Sequence, residues 1–454
     1  MKKILFTILF ALCVTNLTAG NDVPADTASV SRSFLSSSKP RPWAAAALTM
    51  GINGAIWGYD RYIQKSEFAE ISFDTAKSNL KTGFVWDSDR LATNHLGHPF
   101  NGGLYFLASR RCGLNFWQSL PFSTAGSLVW ELFAEKEPPG LNDLFATSVT
   151  GAAFGELMHR SLDYIFDKKA RKRFPIGLSL VLGDRFISDG ADVTSGGHYP
   201  TLKIAMEYGN AFDLSENRPF DYFFGDATMH LGSSNTQPTF GSVNITGRIW
   251  GREIETGDDG SQANIGIWQQ YDFYHNRSAR EEEDNPLFNF SETVAAGVGL
   301  MFRQESKNAV FKQALFADVI GLGAVENPNL FIIERHYNMG SGFAFKSLSG
   351  IDLCNRVKLS FQAKVFYLNT WGNYTSEARS EVEACTLDPL YTDVMGDKGY
   401  SWVFVLAPEL DINITKHWGI NVSAMRLGRD SHYKYYPDSK ARTTELRFGI
   451  RYSL

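Results

Sequence analysis

From Glu445 to Leu454 apolar and polar side chains alternate without a break. Leu446, Phe448, Ile450, Tyr452 and Leu454 fall on one side, Glu445, Arg447, Gly449, Arg451 and Ser453 on the other. Successive side chains of an extended chain point to opposite faces, so a strict period of two specifies a strand with one apolar and one polar surface. The pattern recurs in Val357, Leu359, Phe361, Ala363, Val365 and Tyr367 against Lys358, Ser360, Gln362 and Lys364, and again in Leu202, Ile204, Met206 and Tyr208 against Lys203 and Glu207. Further runs lie near 176–187, 220–231, 243–250, 263–273, 294–302, 310–322, 340–353, 402–412 and 419–427. Polar stretches such as 255–260 and 280–286 separate them, and the longest connector, about 372–398, holds Cys385. About twelve strands of this length predict an antiparallel membrane β-barrel, apolar outside and polar inside.

A soluble sandwich or lipocalin-like barrel alternates too. The strand lengths, their aromatic tips and the alternating final strand favour the membrane form, although Leu454 stands where such barrels commonly end in Phe. Composition agrees: 14% aromatic residues and 40 glycines accompany a mean hydropathy of only -0.20. A net charge of -5, with 44 basic and 49 acidic residues, gives nucleic acid no electrostatic footing.

The N-terminus has the layout of a signal peptide: Met1-Lys2-Lys3, an apolar run to Val14 and small residues at Thr18-Ala19-Gly20. Residues 1–20 are therefore expected to be removed on export, Cys13 with them. A polar leader, 21–41, follows. Of the remaining cysteines, Cys354 and Cys385 are disulfide candidates, and Cys112, in an apolar stretch, reads as a buried packing residue.

Residues 42–168 change period. Apolar and small residues run around most of the circumference in four predicted helices, near 43–63, 94–112, 117–135 and 142–166, which argues for burial against each other, a barrel wall or a membrane. Gly151 and Gly155 set small residues four apart for close packing, and Gly102-Gly103 reads as helix packing or a turn. A basic linker, 169–174, leads to the barrel, 175–454.

The helical block carries a spaced series of polar residues: Asn94, then His98-Pro99 with Gly102, Arg110 with Gly113, Ser127 with Trp130-Glu131 and Glu135, Pro139 with Asn142-Asp143, and Gly155-Glu156 with Arg160. Over about 86–161 this resembles a bacterial family of domains of unknown function with the signature N-x-x-x-H-P-x-x-G, a following Arg and Gly, S-x-x-W-E-x-x-x-E, P-S-x-N-D and G-E. The resemblance implies an outer-membrane or periplasmic setting and no established activity. Gly140 departs from it where the family shows Ser; were that Ser a nucleophile, this chain would lack the activity.

Glu131 and Glu135 stand four apart on one helical face, as do Glu156 and Arg160. A carboxylate among apolar neighbours needs a partner, and Arg110, His98 and Arg160 are the candidates for Glu131. Two readings follow. In one, Asn94, His98, Arg110, Glu131, Glu135, Asn142, Asp143, Glu156 and Arg160 form a buried network that fixes helix packing. In the other, His98, Glu131, Glu135, Asp143, Glu156 and Arg160 line a catalytic site of a lipid- or envelope-modifying hydrolase. The Glu156-x-x-His159 spacing of carboxylate-bridged metal bundles occurs there, but the sequence assigns no metal and no cofactor. No Gly-x-Ser-x-Gly is present.

The expectation is thus an exported outer-membrane barrel of a Gram-negative bacterium, with the helical block plugging or capping it. Its function is structural or that of a small-solute channel. Its partners are outer-membrane lipid and the barrel-assembly machinery.

Overall fold

The computed structural model describes residues 39–87, 89–166, 176–189, 192–193, 200–231, 239–256, 260–276, 288–328, 330, 336–372 and 395–454. The signal peptide, most of the leader, the basic linker and Cys385 lie outside these residues, and with Cys385 the proposed disulfide; Cys354 is exposed in a short turn. The chain divides into two compact units.

In the barrel unit the alternating runs become twelve strands. They are β1 (Ile176–Asp189), β2 (Pro200–Tyr208), β3 (Phe223–His230), β4 (Thr239–Ile254), β5 (Ser261–Asn276) and β6 (Phe288–Ser306). The second half is β7 (Ala309–Glu326), β8 (Tyr337–Leu353), β9 (Val357–Thr370), β10 (Gly399–Asn413), β11 (Trp418–Tyr433) and β12 (Ser439–Ser453). Each pairs antiparallel with the next, and β1 pairs with β12, Leu182 opposite Ile450, to close the ring. Closure removes the edges that an open sheet would expose. A two-residue stretch, Asp192–Val193, folds back onto the end of β1.

The twelve strands and the outward register agree with the sequence reading. Leu446, Phe448 and Ile450 on β12 are 46%, 49% and 62% exposed, whereas Glu445 between them is buried. The inside differs from it. Phe366, Leu368, Val403, Val405 and Leu427 are also buried, so β9 and β10 carry apolar residues on both faces. The physical reason is that opposite walls of the barrel meet. A round twelve-strand barrel would be roughly 20–25 Å across, yet β6 and β12, opposite each other in the ring, approach to within 8 Å between Cα atoms. Ala295 of β6 and Ala441 of β12 share one apolar cluster with Leu427 and Phe366. Facing walls bury each other's side chains, and an inward apolar residue is then as well placed as an outward one.

The helical unit contains α1 (Pro42–Gly58), α2 (Phe73–Thr82), α3 (His98–Arg111), α4 (Phe116–Phe133), α5 (Leu141–Phe145) and α6 (Gly151–Phe166), with π turns at Tyr59–Ile63 and Ala146–Thr150. Three of the four expected helices have counterparts in α1, α3 and α4; the fourth is broken into α5, a π turn and α6. Helix α2 was not expected, although its Ser72–Thr75 capping box was there to be read. Small residues set the approach of α3 to the π turn and α6: a Cβ on Gly102 would lie 1.9 Å from the Thr147 carbonyl oxygen in the turn, and one on Gly151 2.6 Å from the Gly102 carbonyl carbon.

Helices α4 and α1 bury polar side chains and expose large apolar ones. Ser119, Ser123, Ser127 and Glu131, one per turn of α4, are all buried, while Trp117 and Phe133 are exposed. On α1 the buried residues are Ala45, Thr49 and Asn53, and Trp43, Leu48 and Met50 face outward. Helix α1 carries no charged side chain. No described helix is long and apolar enough to cross a membrane.

Candidate functional site

The sequence-derived polar residues resolve into separate groups. In the first, His98 opens α3, Glu131 lies in the last turns of α4 and Asp143 lies in α5. All three are buried, and one donor atom from each lies within 4.8 Å of the others. The His98 ring sits between two carboxylates: Nδ1 is 4.0 Å from Glu131 Oε1 and Nε2 is 3.6 Å from Asp143 Oδ1.

Backbone geometry holds the two carboxylates in place. Residues 139–141 run beside Val85, with Val85 N–H donating to the Pro139 carbonyl and Leu141 N–H to the Val85 carbonyl. That leaves Gly140 N–H to donate to Glu131 Oε2 at 2.7 Å. Asn142 Nδ2 donates to Asp143 Oδ1 at 3.0 Å, and Asp87 N–H in turn donates to Asn142 Oδ1 at 3.0 Å. A Cβ at position 140 would stand 2.3 Å from Asp143 Oδ2. Glycine at this position is what gives the Asp143 carboxylate its room.

Glu156 belongs to a second group. Arg110 donates to it through Nε at 2.6 Å and Nη2 at 3.1 Å, and Arg160 Nε donates at 2.8 Å. Burial alone would raise the Glu156 carboxyl, but Arg160 and Arg110 outweigh it and hold the group at about 2. This is a sealed ion network, and it takes Glu156 and Arg160 away from His98. His159, packed with Arg111 and Asp163, is pushed down to about 4 chiefly by burial, against the pull of Glu156. Glu135 accepts from the Trp130 indole at 3.1 Å.

These shifts predict an acid-labile helical unit. His159 has a folded value below its unfolded one, so the unfolded chain takes up the proton first and stability falls between pH 6.5 and about 4. Glu156 is also depressed, so its contribution is present above about 4.5 and lost toward about 2. Each is worth roughly 3 kcal/mol. Acid titration followed by circular dichroism should show the upper step vanish in His159→Gln; an unchanged profile would contradict the assignment.

Asn94 goes elsewhere. Residues 89–95 belong to the barrel unit, where Asn94 Nδ2 donates to Tyr337 Oη at 2.9 Å and Tyr337 Oη donates to the Asp89 carbonyl. Tyr271 Oη donates to the His95 carbonyl at 2.6 Å, and His95 Nδ1 meets Thr293 Oγ1 at 2.5 Å. Of the nine expected network members, Glu156 with Arg110 and Arg160, and Asn94 in the barrel unit, thus sit in groups other than that of His98.

Inside the barrel the charges were legible in the alternation, their partners not. Lys346 of β8 meets Asp272 at 2.7 Å, Asp318 at 3.3 Å and Glu292, reaching β5, β7 and β6 respectively. Lys364 of β9 meets Asp272 at 2.6 Å. Lys203 of β2 reaches Glu409 of β10 at 2.7 Å. Beside these lies a cavity of about 40 Å³ bordered by Lys203, Tyr274, Val405 and Arg447. A larger hollow of about 320 Å³, lined by Glu207, Phe212, Tyr222 and Arg303, opens toward the short-turn end. Its lining residues Ala211, Tyr222 and Met301 belong to an apolar cluster with Trp268, Ala314 and Phe316.

A domain of unknown function (DUF3943) matches residues 83–182. No curated protein matches. Among solved structures, the NanC porin aligns at 10% identity over 61% of this chain and 100% of its own, with a TM-score of 0.30. The outer-membrane protein OmpT of Vibrio cholerae aligns at 7% identity over 62% and 97%, TM-score 0.24. The outer-membrane channel DcaP of Acinetobacter baumannii aligns at 8% over 62% and 95%, TM-score 0.22. The twelve-strand closure described above rests on the strand pairing itself.

Proposed function

We propose that this chain is an integral outer-membrane barrel with a lumen sealed by its own side chains, a structural envelope protein and not an open pore. The observation that carries the reading is the contact between opposite walls. Charged residues bridge strands three and four apart in the ring, the apolar cluster fills the space beside them, and a cavity among them has room for a water or two. A twelve-strand barrel has little lumen to spare, and here packing uses it. Residues 89–95 occupy the same unit near the starts of β6 and β8.

Lipid is the partner that matches the surface. The outward rows of the strands are apolar, as a hydrocarbon-facing barrel requires. Helices α1 and α4 show the same polarity, with Thr49, Ser119, Ser123, Ser127 and Glu131 turned in and Trp43 and Trp117 turned out. Export through the signal peptide and insertion by the barrel-assembly machinery belong to this reading.

Planar-bilayer recording of the refolded protein tests it: silent membranes are expected, and steady ohmic steps like those of a porin would overturn the sealed lumen. Vesicles of the same preparation made with brominated lipid should quench tryptophan fluorescence, and emission unaffected by bromine would remove lipid as the partner.

A further inference from the structure

We propose that His98, Glu131 and Asp143 bind a divalent transition-metal ion, which fastens the start of α3 to α4 and α5. This stands apart from the sealed-lumen reading and rests on the helical unit alone. One imidazole and two carboxylates are a nitrogen-and-oxygen donor set suited to zinc and its neighbours. Four-coordinate zinc with bonds near 2.1 Å places its donors about 3.4 Å apart. The 3.6 Å between His98 Nε2 and Asp143 Oδ1 is already close to that, and one donor atom from each of the three residues lies within 4.8 Å of the others.

Three features separate the group from an incidental cluster. The ligands come from three elements distant in sequence and are all buried, at 8%, 0% and 1% exposure. Each carboxylate is also held by a second group: Gly140 N–H donates to the Glu131 oxygen turned away from His98, and the Asn142 amide donates to the Asp143 oxygen that faces it, the kind of supporting contact that metal ligands require. The absence of a side chain at Gly140 is what lets Asp143 take its position. Three protein ligands also leave a fourth position open.

The test uses the full chain, purified in detergent, stripped with a chelator and titrated with zinc chloride and, separately, with cobalt(II) as a spectroscopic probe. One zinc per chain, a raised thermal midpoint and a cobalt d–d spectrum of nitrogen-and-oxygen ligation are expected. Asp143→Asn, which preserves volume, should weaken zinc binding about tenfold or more. Glu131→Gln serves if that variant does not fold, and the wild-type cobalt spectrum decides if neither does. Absence of saturable zinc binding by the wild type, or equal binding by the folded variants, would overturn the site. Conductance is not expected to change in either case, so failure here is distinguishable from failure of the sealed-lumen reading.

Discussion

Lys346→Met is expected to destabilise the barrel by about 3–5 kcal/mol, the usual result of removing one partner from a buried charge group. Lys346 is 3% exposed and faces Asp272, Glu292 and Asp318. With the ammonium gone, Asp272 keeps the Lys364 ammonium and the Tyr274 hydroxyl, and Glu292 and Asp318 lose the cation they share. The side chain's volume is not at issue, since Met fills a similar space. The triple variant Lys346→Met, Glu292→Gln, Asp318→Asn leaves Lys364 paired with Asp272 and should recover most of the loss. Guanidinium unfolding in lipid vesicles, read alongside heat-modifiable gel mobility, measures both. A single variant with a wild-type midpoint would mean that the cluster contributes nothing to closing the lumen.

Gly102→Ala should cost the helical unit about 3 kcal/mol, the upper end for overpacking. The added carbon would stand 1.9 Å from the Thr147 carbonyl oxygen, and that atom is backbone, so no rotamer change relieves it. Helix α3 and the π turn that leads into α6 must then separate, which also strains the Arg110–Glu156 pair between α3 and α6. Gly54→Ala on α1 is the control: nothing lies within 4 Å of its added carbon, and alanine's higher helix propensity should make it neutral or stabilising by up to about 1 kcal/mol. Thermal unfolding followed at helical wavelengths compares the two. Equal shifts in both variants would show that propensity, not close packing, governs the response.

Much of the barrel was legible because a strand's two faces are written directly in a period of two. Leu446, Phe448 and Ile450 could be placed outward, and Lys364 inward, from spacing alone. The close packing of α6 was legible at Gly151 and Gly155 for a similar reason, since a missing side chain four residues apart marks one helix face. Helix α2 could have been found from its capping box; its short length and mixed composition gave no strong period to follow.

The site was legible only as a set of residue types. Spacing put Glu131 with Glu135 and Glu156 with Arg160, because neighbours on one helix are fixed by 3.6 residues per turn. Which of them meets His98 depends on how α3, α4 and α5 cross, and no local pattern encodes that. Asp143 therefore joined His98 while Glu156 went to Arg110.

Local chain geometry accordingly settled the strand count, the outward faces and the small-residue helix contacts of this protein, all of them consequences of fixed periods along one segment. Tertiary structure alone decided that opposite barrel walls meet, that Phe366 and Val403 turn into a lumen expected to be polar, and that one histidine lies between two carboxylates. Those outcomes join residues tens to hundreds of positions apart, where the energy of contact is set by which surfaces meet and not by the order of residues along either one.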